Sequence, residues 1–178
     1  MKTDKTIAVH GSYYGRNFGD TLLVKIACDI VHSFGFDRDT IVLPAITSQK
    51  ECDEIGYRKM NNKDAIDILI FAGGGYFGEP NNRSFLRLVK WYYKNYKRHI
   101  SLVKKLKPKT ILVFGVGFGP YRSKYLRKIL FRIFSTSELI YVRDERSLKL
   151  LKGYNYSEEN IKVGVDLAYN LGENRTVF

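Results

Sequence analysis

The strongest constraint on this chain's fold is a recurring order: a short apolar run, a glycine-rich loop, then residues that repeat with a helical period. Ten of its fifteen glycines lie in three such loops: Gly11, Gly15 and Gly19; Gly73, Gly74, Gly75 and Gly78; Gly115, Gly117 and Gly119. Parallel strands cannot be joined by a tight hairpin and need a crossover, usually a helix. Apolar runs alternating with helical patterns therefore predict an α/β chain, a Rossmann-like open parallel sheet with helices on both faces. The length, 178 residues, suits one domain over 1–178.

Strands are expected at 6–9, 40–43, 68–71, 110–114, 139–142 and 161–165. The run at 68–71 is apolar throughout, as for a strand covered on both faces. Helices are expected at 21–34, 84–106, 124–134 and 144–151, with a short helix and loop within 48–64. In the first, Leu22, Leu23, Ile26, Ala27, Ile30, Val31 and Phe34 share one face. In the second, Phe85, Leu88, Val89, Tyr92, Tyr96, Ile100, Val103 and Leu106 form a stripe expected to face the core, with Trp91 and Tyr93 outward. In the third, Leu126, Ile129, Leu130 and Ile133 are expected inward. Cys28, on the apolar side of the first helix, reads as a buried small hydrophobe, and with Cys52 it makes no disulfide framework.

The three glycine loops fall at the carboxyl ends of strands, where open α/β sheets bind ligands. There, glycine lets backbone N–H groups approach an anion, and a following helix N-terminus adds partial positive charge. The plainer reading is that these glycines only turn the chain. No Gly-x-x-x-x-Gly-Lys-Ser/Thr is present, which excludes a P-loop. Gly73 to Gly78 satisfies Gly-x-Gly-x-x-Gly, but no acid follows about 20 positions on to hold a ribose, so a dinucleotide site is rejected. Asp20 reads as a helix N-cap or a residue at the site's edge, and Asp144 as an N-cap. Arg143, at the end of the fifth strand, is placed either to grip a carboxylate or phosphate with two parallel N–H bonds or to pair with Asp166 or Glu138. His10, His32 and His99 lack metal-ligand spacing, so no metal is expected and each reads as structural. Tyr13, Tyr14, Phe18, Tyr76, Phe77, Phe118 and Tyr121 decorate the loops, either to pack them or to face a sugar ring or a base.

Charge is concentrated in one segment. Fifteen Lys and Arg residues and no acid lie between Glu79 and Glu138, while the whole chain carries only +12. The remainder is therefore at −3. A hydrophobic content of 44% is enough for a core, so this is no disordered basic tail. No run approaches the ~18–20 apolar residues of a spanning helix, and the apolar stretch near Met1 is short for a signal peptide. A cytoplasmic location is expected. The basic segment, 83–132, reads as a solvated face or as a surface for anionic lipid, anionic glycan or nucleic acid. Nucleic acid ranks last, because no reader motif is present.

Taken together, the motifs resemble the polysaccharide pyruvyl transferase family. Residues 11–20, ending Asn17-Phe18-Gly19-Asp20, resemble its opening loop; Ala72-Gly73-Gly74-Gly75 its triple-glycine loop; and Gly115-Val116-Gly117-Phe118-Gly119-Pro120, with Arg122, a third segment. Tyr141-Val142-Arg143-Asp144-Glu145-Arg146-Ser147 and Val165-Asp166-Leu167-Ala168 resemble the segments that follow. The resemblance implies transfer of a pyruvyl ketal from phosphoenolpyruvate to a sugar of an envelope polysaccharide precursor, with phosphoenolpyruvate as donor and no cofactor. Arg143 matches an arginine implicated in binding the donor. Gly11, Gly15, Asn17, Gly19, Asp20, Gly73, Gly74, Gly75, Gly115, Gly117, Gly119 and Arg122 are the expected substrate-loop residues, and no catalytic acid or base is singled out. The implied fold is one half of a GT-B-type enzyme, so the chain reads as an N-terminal half, inactive alone. Because such acceptors are often lipid-linked, the inner membrane face ranks first for the basic segment. The other classes that remain are a nucleotide-sugar-dependent glycosyltransferase half-domain and a non-catalytic glycan- or membrane-binding module.

Overall fold

The computed structural model describes residues 4–12, 17–79, 84–121, 123–154 and 159–171. Six strands, β1 (Ile7–His10), β2 (Ile41–Val42), β3 (Ile68–Ala72), β4 (Thr110–Val116), β5 (Ser137–Val142) and β6 (Ile161–Val163), form one sheet in the order β2-β1-β3-β4-β5-β6. Every neighbouring pair is parallel. The order reverses direction between β1 and β3, so the topological switch point lies where the first two glycine loops leave the sheet.

Side chains alternate across each strand and build two cores. On one face, Ile7, Val9, Ile41, Ile70 and Ala72 pack against α1 (Phe18–Ser33) and α2 (Gln49–Ile55). On the other, Ala8, Leu69, Phe71, Val113 and Ile140 pack beneath α4 (Ser101–Leu106), α5 (Lys124–Phe134) and α6 (Glu145–Lys152). A side chain of the size of Phe71, fully buried here, contributes about 2–3 kcal/mol. Cys28 and Cys52 are both buried thiols.

Local chemistry sets the helix ends. The Ser48 hydroxyl accepts from the N–H of Glu51 and the Glu51 carboxylate accepts from the N–H of Ser48, a capping box that starts α2. Asp144 caps α6 as expected, accepting from Ser147 N at 2.7 Å. Helix α1 begins earlier than its periodicity suggests: Asn17, not Asp20, is the N-cap, its Oδ1 accepting from Gly19 N at 3.1 Å. Asn fits this position because its short side chain reaches back to the free N–H groups of the first turn. Asp20 sits within that turn. Phe34, counted on the α1 stripe, falls past the helix end and is exposed.

The long helix expected at 84–106 is three pieces: α3 (Phe85–Asn95), a π turn (Tyr96–Ile100) and α4. A π turn carries an extra residue and rotates everything after it. Arg98, His99, Ile100 and Leu102 are buried, and Val103 only half-buried. The stripe expected to face the core is open along α3, where Phe85, Val89 and Tyr92 are exposed, whereas Trp91, expected outward, is half-buried. Trp91 Nε1 donates to the Gly78 carbonyl at 2.9 Å. The side chains of Tyr96, Leu126 and Ile129 lie outside the described residues.

Candidate functional site

The loops after β3 and β4 are bonded to each other as an extension of the sheet. Gly117 N donates to Gly74 O at 2.8 Å, Gly119 N to Phe77 O at 2.6 Å and Glu79 N to Pro120 O at 3.3 Å. Phe77 bridges Phe118 in parallel, and a Cβ on Gly78 would lie 3.1 Å from the Gly119 Cα. The Ser147 hydroxyl, buried on α6, accepts from Phe118 N at 2.8 Å and ties this floor to the helix that follows Arg143. Tyr76, Phe77, Phe118 and Tyr121 are buried, so these aromatics pack the loops from below.

Arg143 lies across this floor. A Cβ on Gly117 would stand 2.6 Å from its Nε and 2.8 Å from its Nη2, and one on Gly75 would stand 3.8 Å from Nη2. Only a residue without a side chain at position 117 permits that seat. Asp166, which follows β6, holds the guanidinium by accepting from Nη1 at 2.9 Å. Asp144 lies 3.5 Å from Nε. Glu138, the other partner considered, instead accepts from Thr110 Oγ1. Nη2 makes no hydrogen bond among the described residues. Partial burial works against the Asp144 carboxylate, but its hydrogen bonds to Ser147 and the neighbouring guanidinium outweigh that and hold its pKa below the ordinary value.

Asp20 reaches the same place from the first turn of α1. Its Oδ1 is 3.1 Å from where a Gly74 Cβ would be, and Asn17 Nδ2 donates to its Oδ2 at 3.3 Å. The backbone N–H groups of Gly74 and Gly75 make no hydrogen bond among the described residues. Tertiary folding thus gathers Asn17, Gly19, Asp20, Gly74, Gly75, Gly117 and Arg143 on one edge of the sheet. Gly11, Gly73 and Gly115 turn the other way: Val24, Leu23 and Leu167 fill the space their side chains would take. Gly119 is spent on the contact with Gly78. Gly15 and Arg122, with Tyr13 and Tyr14, lie outside the described residues.

Beneath the loops is a group that sequence spacing does not reveal. His10, at the end of β1, and His99, on the π turn, have ring centroids 5.5 Å apart. Tyr76 stacks on His99 at 5.5 Å, and Phe71 meets both imidazoles edge-on. Burial, helped by the charge of Arg98, pushes the His10 pKa down to about 3. Burial likewise drives His99 well below its ordinary value. Both rings are neutral packing elements at pH 7. His32 serves elsewhere, its Nδ1 lying 2.9 Å from Phe36 O beyond the end of α1.

Tyr141 was legible only as part of a motif, and its contact with Gly164 was not. The Tyr141 ring occupies the place of a Gly164 side chain, and its hydroxyl accepts from Val165 N at 3.2 Å. This contact sets the turn that delivers Asp166 to Arg143. A glycine two residues before the aspartate was the available signal. Separately, a groove of about 560 Å³ runs between α1 and α2, lined by Phe18, Leu22, Lys25, Ser48 and Glu51 among others. It shares only the start of α1 with the glycine-loop edge.

A family model described as polysaccharide pyruvyl transferase matches residues 17–177, nearly the whole chain. Neither the curated proteins nor the solved structures provide a match.

Proposed function

The chain belongs to the polysaccharide pyruvyl transferase family, and from that premise we propose that its glycine-loop edge binds phosphoenolpyruvate for transfer of a pyruvyl ketal to a sugar of a polysaccharide precursor. The observation that carries this reading is the seat of Arg143. Its guanidinium is fixed over Gly117 by Asp166 and turns toward the Gly75 side an Nη2 that makes no hydrogen bond among the described residues. An arginine held in this way can donate to a carboxylate or phosphate with little ordering left to do. The N–H groups of Gly74 and Gly75, which make no hydrogen bond among the described residues, are further donors for an anion.

The chemistry suits such a site. The donor's methylene carbon takes a proton and becomes a methyl group, leaving C2 electron-poor. One sugar hydroxyl adds to C2, the bond from C2 to the phosphate oxygen breaks, and a second hydroxyl closes the ketal. The two hydroxyl protons balance the one gained by carbon and the one carried away with phosphate. Fixed donors near the departing phosphate stabilise that charge without reorganisation. Asp20 stands at the rim, its Oδ1 3.1 Å from where a Gly74 side chain would begin.

Thermal unfolding with added donor tests the reading. Phosphoenolpyruvate at about one hundred times its dissociation constant adds roughly 2.7 kcal/mol, about 5–10 °C for a chain of this size. Arg143→Lys keeps the charge but loses the planar fork, and is expected to weaken binding about 10–100-fold. Stabilisation by a nucleotide-sugar instead would transfer the assignment to a glycosyltransferase. Equal stabilisation of Arg143→Ala by phosphoenolpyruvate would remove Arg143 from the site.

A further inference from the structure

The apolar stripe of α3 faces solvent. Phe85 and Leu86 are each 77% exposed, Tyr93 63% and Val89 49%. At one residue per 100°, these four and Tyr92 fall within a single arc of about 120°. Phe131 on the adjoining α5 is exposed too. Lys90 borders the arc on α3, Arg87 is exposed on the side turned away from it, and the Lys97 ammonium stands 6.0 Å from the centre of the Tyr93 ring. Lys128 and Arg132 are exposed on α5. Among the described residues none of these five cations enters an ion pair. The cause is in the sequence, since no acid lies between Glu79 and Glu138.

We propose that this face of α3, with the neighbouring surface of α5, docks on an anionic phospholipid membrane. Phe85, Leu86, Val89 and Tyr93 enter the head-group region, while the Lys and Arg side chains hold lipid phosphates. Apolar residues on one arc with flanking cations are the pattern of a helix lying in a membrane interface. Charge decides against a second copy of the chain, because two such faces would bring unneutralised cations together. A nucleic acid would satisfy the cations but leave Phe85, Leu86 and Val89 in water. The face starts ten residues after Gly75, and Trp91 bonds α3 back to Gly78. Docking would therefore hold the candidate site near the head groups, where a lipid-linked acceptor would be presented. That last consequence rests on the pyruvyl-transfer reading, but the docking itself does not.

Vesicle flotation tests the proposal. The unaltered chain is expected to float with vesicles containing one-third phosphatidylglycerol and to remain behind with pure phosphatidylcholine. Lys90→Gln with Lys97→Gln is expected to lower partition about 25-fold at low salt, at about fivefold per charge. Phe85→Ser with Leu86→Ser is expected to lower it at least tenfold and to leave little binding at high salt. Neither pair should change stabilisation by phosphoenolpyruvate, so failure here is distinct from failure of the donor reading. Equal partition onto both vesicle types, no flotation with a concentration-dependent dimer in sedimentation, or tighter binding of an oligonucleotide than of anionic vesicles would each overturn it. The comparison of the two vesicle types on the unaltered chain stands even if a variant fails to fold.

Discussion

Helix α1 buries Leu23, Val24, Ile26, Ala27 and Val31, whereas α3 leaves Phe85, Leu86, Val89 and Tyr93 open, although both carry apolar residues at helical spacing. The difference lies in what stands beneath them. Two glycines, Gly11 and Gly73, give Val24 and Leu23 room to settle against the sheet. The chief neighbours of α3 are α5 and its own π turn, and the core beneath that turn is already filled by His99, Ile100 and Leu102. The charges differ in the same sense. On α1, Lys25 pairs with Asp29 at 2.8 Å, while the cations of α3 have no acid nearby in sequence. Helical periodicity reports that a stripe exists, and only the neighbours decide whether it is core or interface.

The contrast can be broken by mutation. The largest expected effect is Leu23→Ala, which removes a buried side chain packed on Gly73 and should cost about 3 kcal/mol in denaturant unfolding. Acid acts next, through the histidines that anchor the far end of the α3 segment. The folded-state pKa of His10, about 3, lies below its ordinary value of 6.5. The unfolded chain therefore takes up the proton first as pH falls. The contribution is complete above pH 6.5 and is lost progressively toward pH 3, reaching about 2 kcal/mol by pH 5. Urea unfolding at pH 7.5 and 5 should show this loss, and His10→Phe should reduce it, leaving the part that His99 contributes. His99 adds in the same direction.

Trp91→Phe keeps an aromatic side chain but loses the indole N–H bonded to Gly78 and part of the ring, and should cost about 1 kcal/mol. Val89→Ala should change stability by no more than about 0.5 kcal/mol. A Val89→Ala cost comparable to that of Leu23→Ala would show that α3 is as much a core helix as α1.

Much of this was legible in advance. The strands, the crossovers and the glycine loops at one sheet edge follow from short-range pattern, and so does Asp144 as a cap. Cys28 was legible as a buried thiol for the same reason. Of the two readings of Asp20, the cap fails because Asn17, three residues earlier, takes the free N–H groups, while the place beside the glycine loop stands. Trp91 was misread as outward because the π turn breaks the angular count along 84–106. The glycines could be counted but not sorted: Gly11, Gly73 and Gly115 accommodate neighbouring side chains, while Gly74, Gly75 and Gly117 lie under Asp20 and Arg143.

The sequence by itself determined the α/β order, the edge of the sheet that carries the loops and the one-sided charge of 80–137, because each of these is written in residues near one another along the chain. Tertiary structure alone decided that Asp166 rather than Glu138 holds Arg143, that His10 meets His99, and that the stripe of α3 lies open. Those outcomes depend on through-space distances between segments far apart in sequence, and burial is a property of what covers a side chain as well as of the side chain itself.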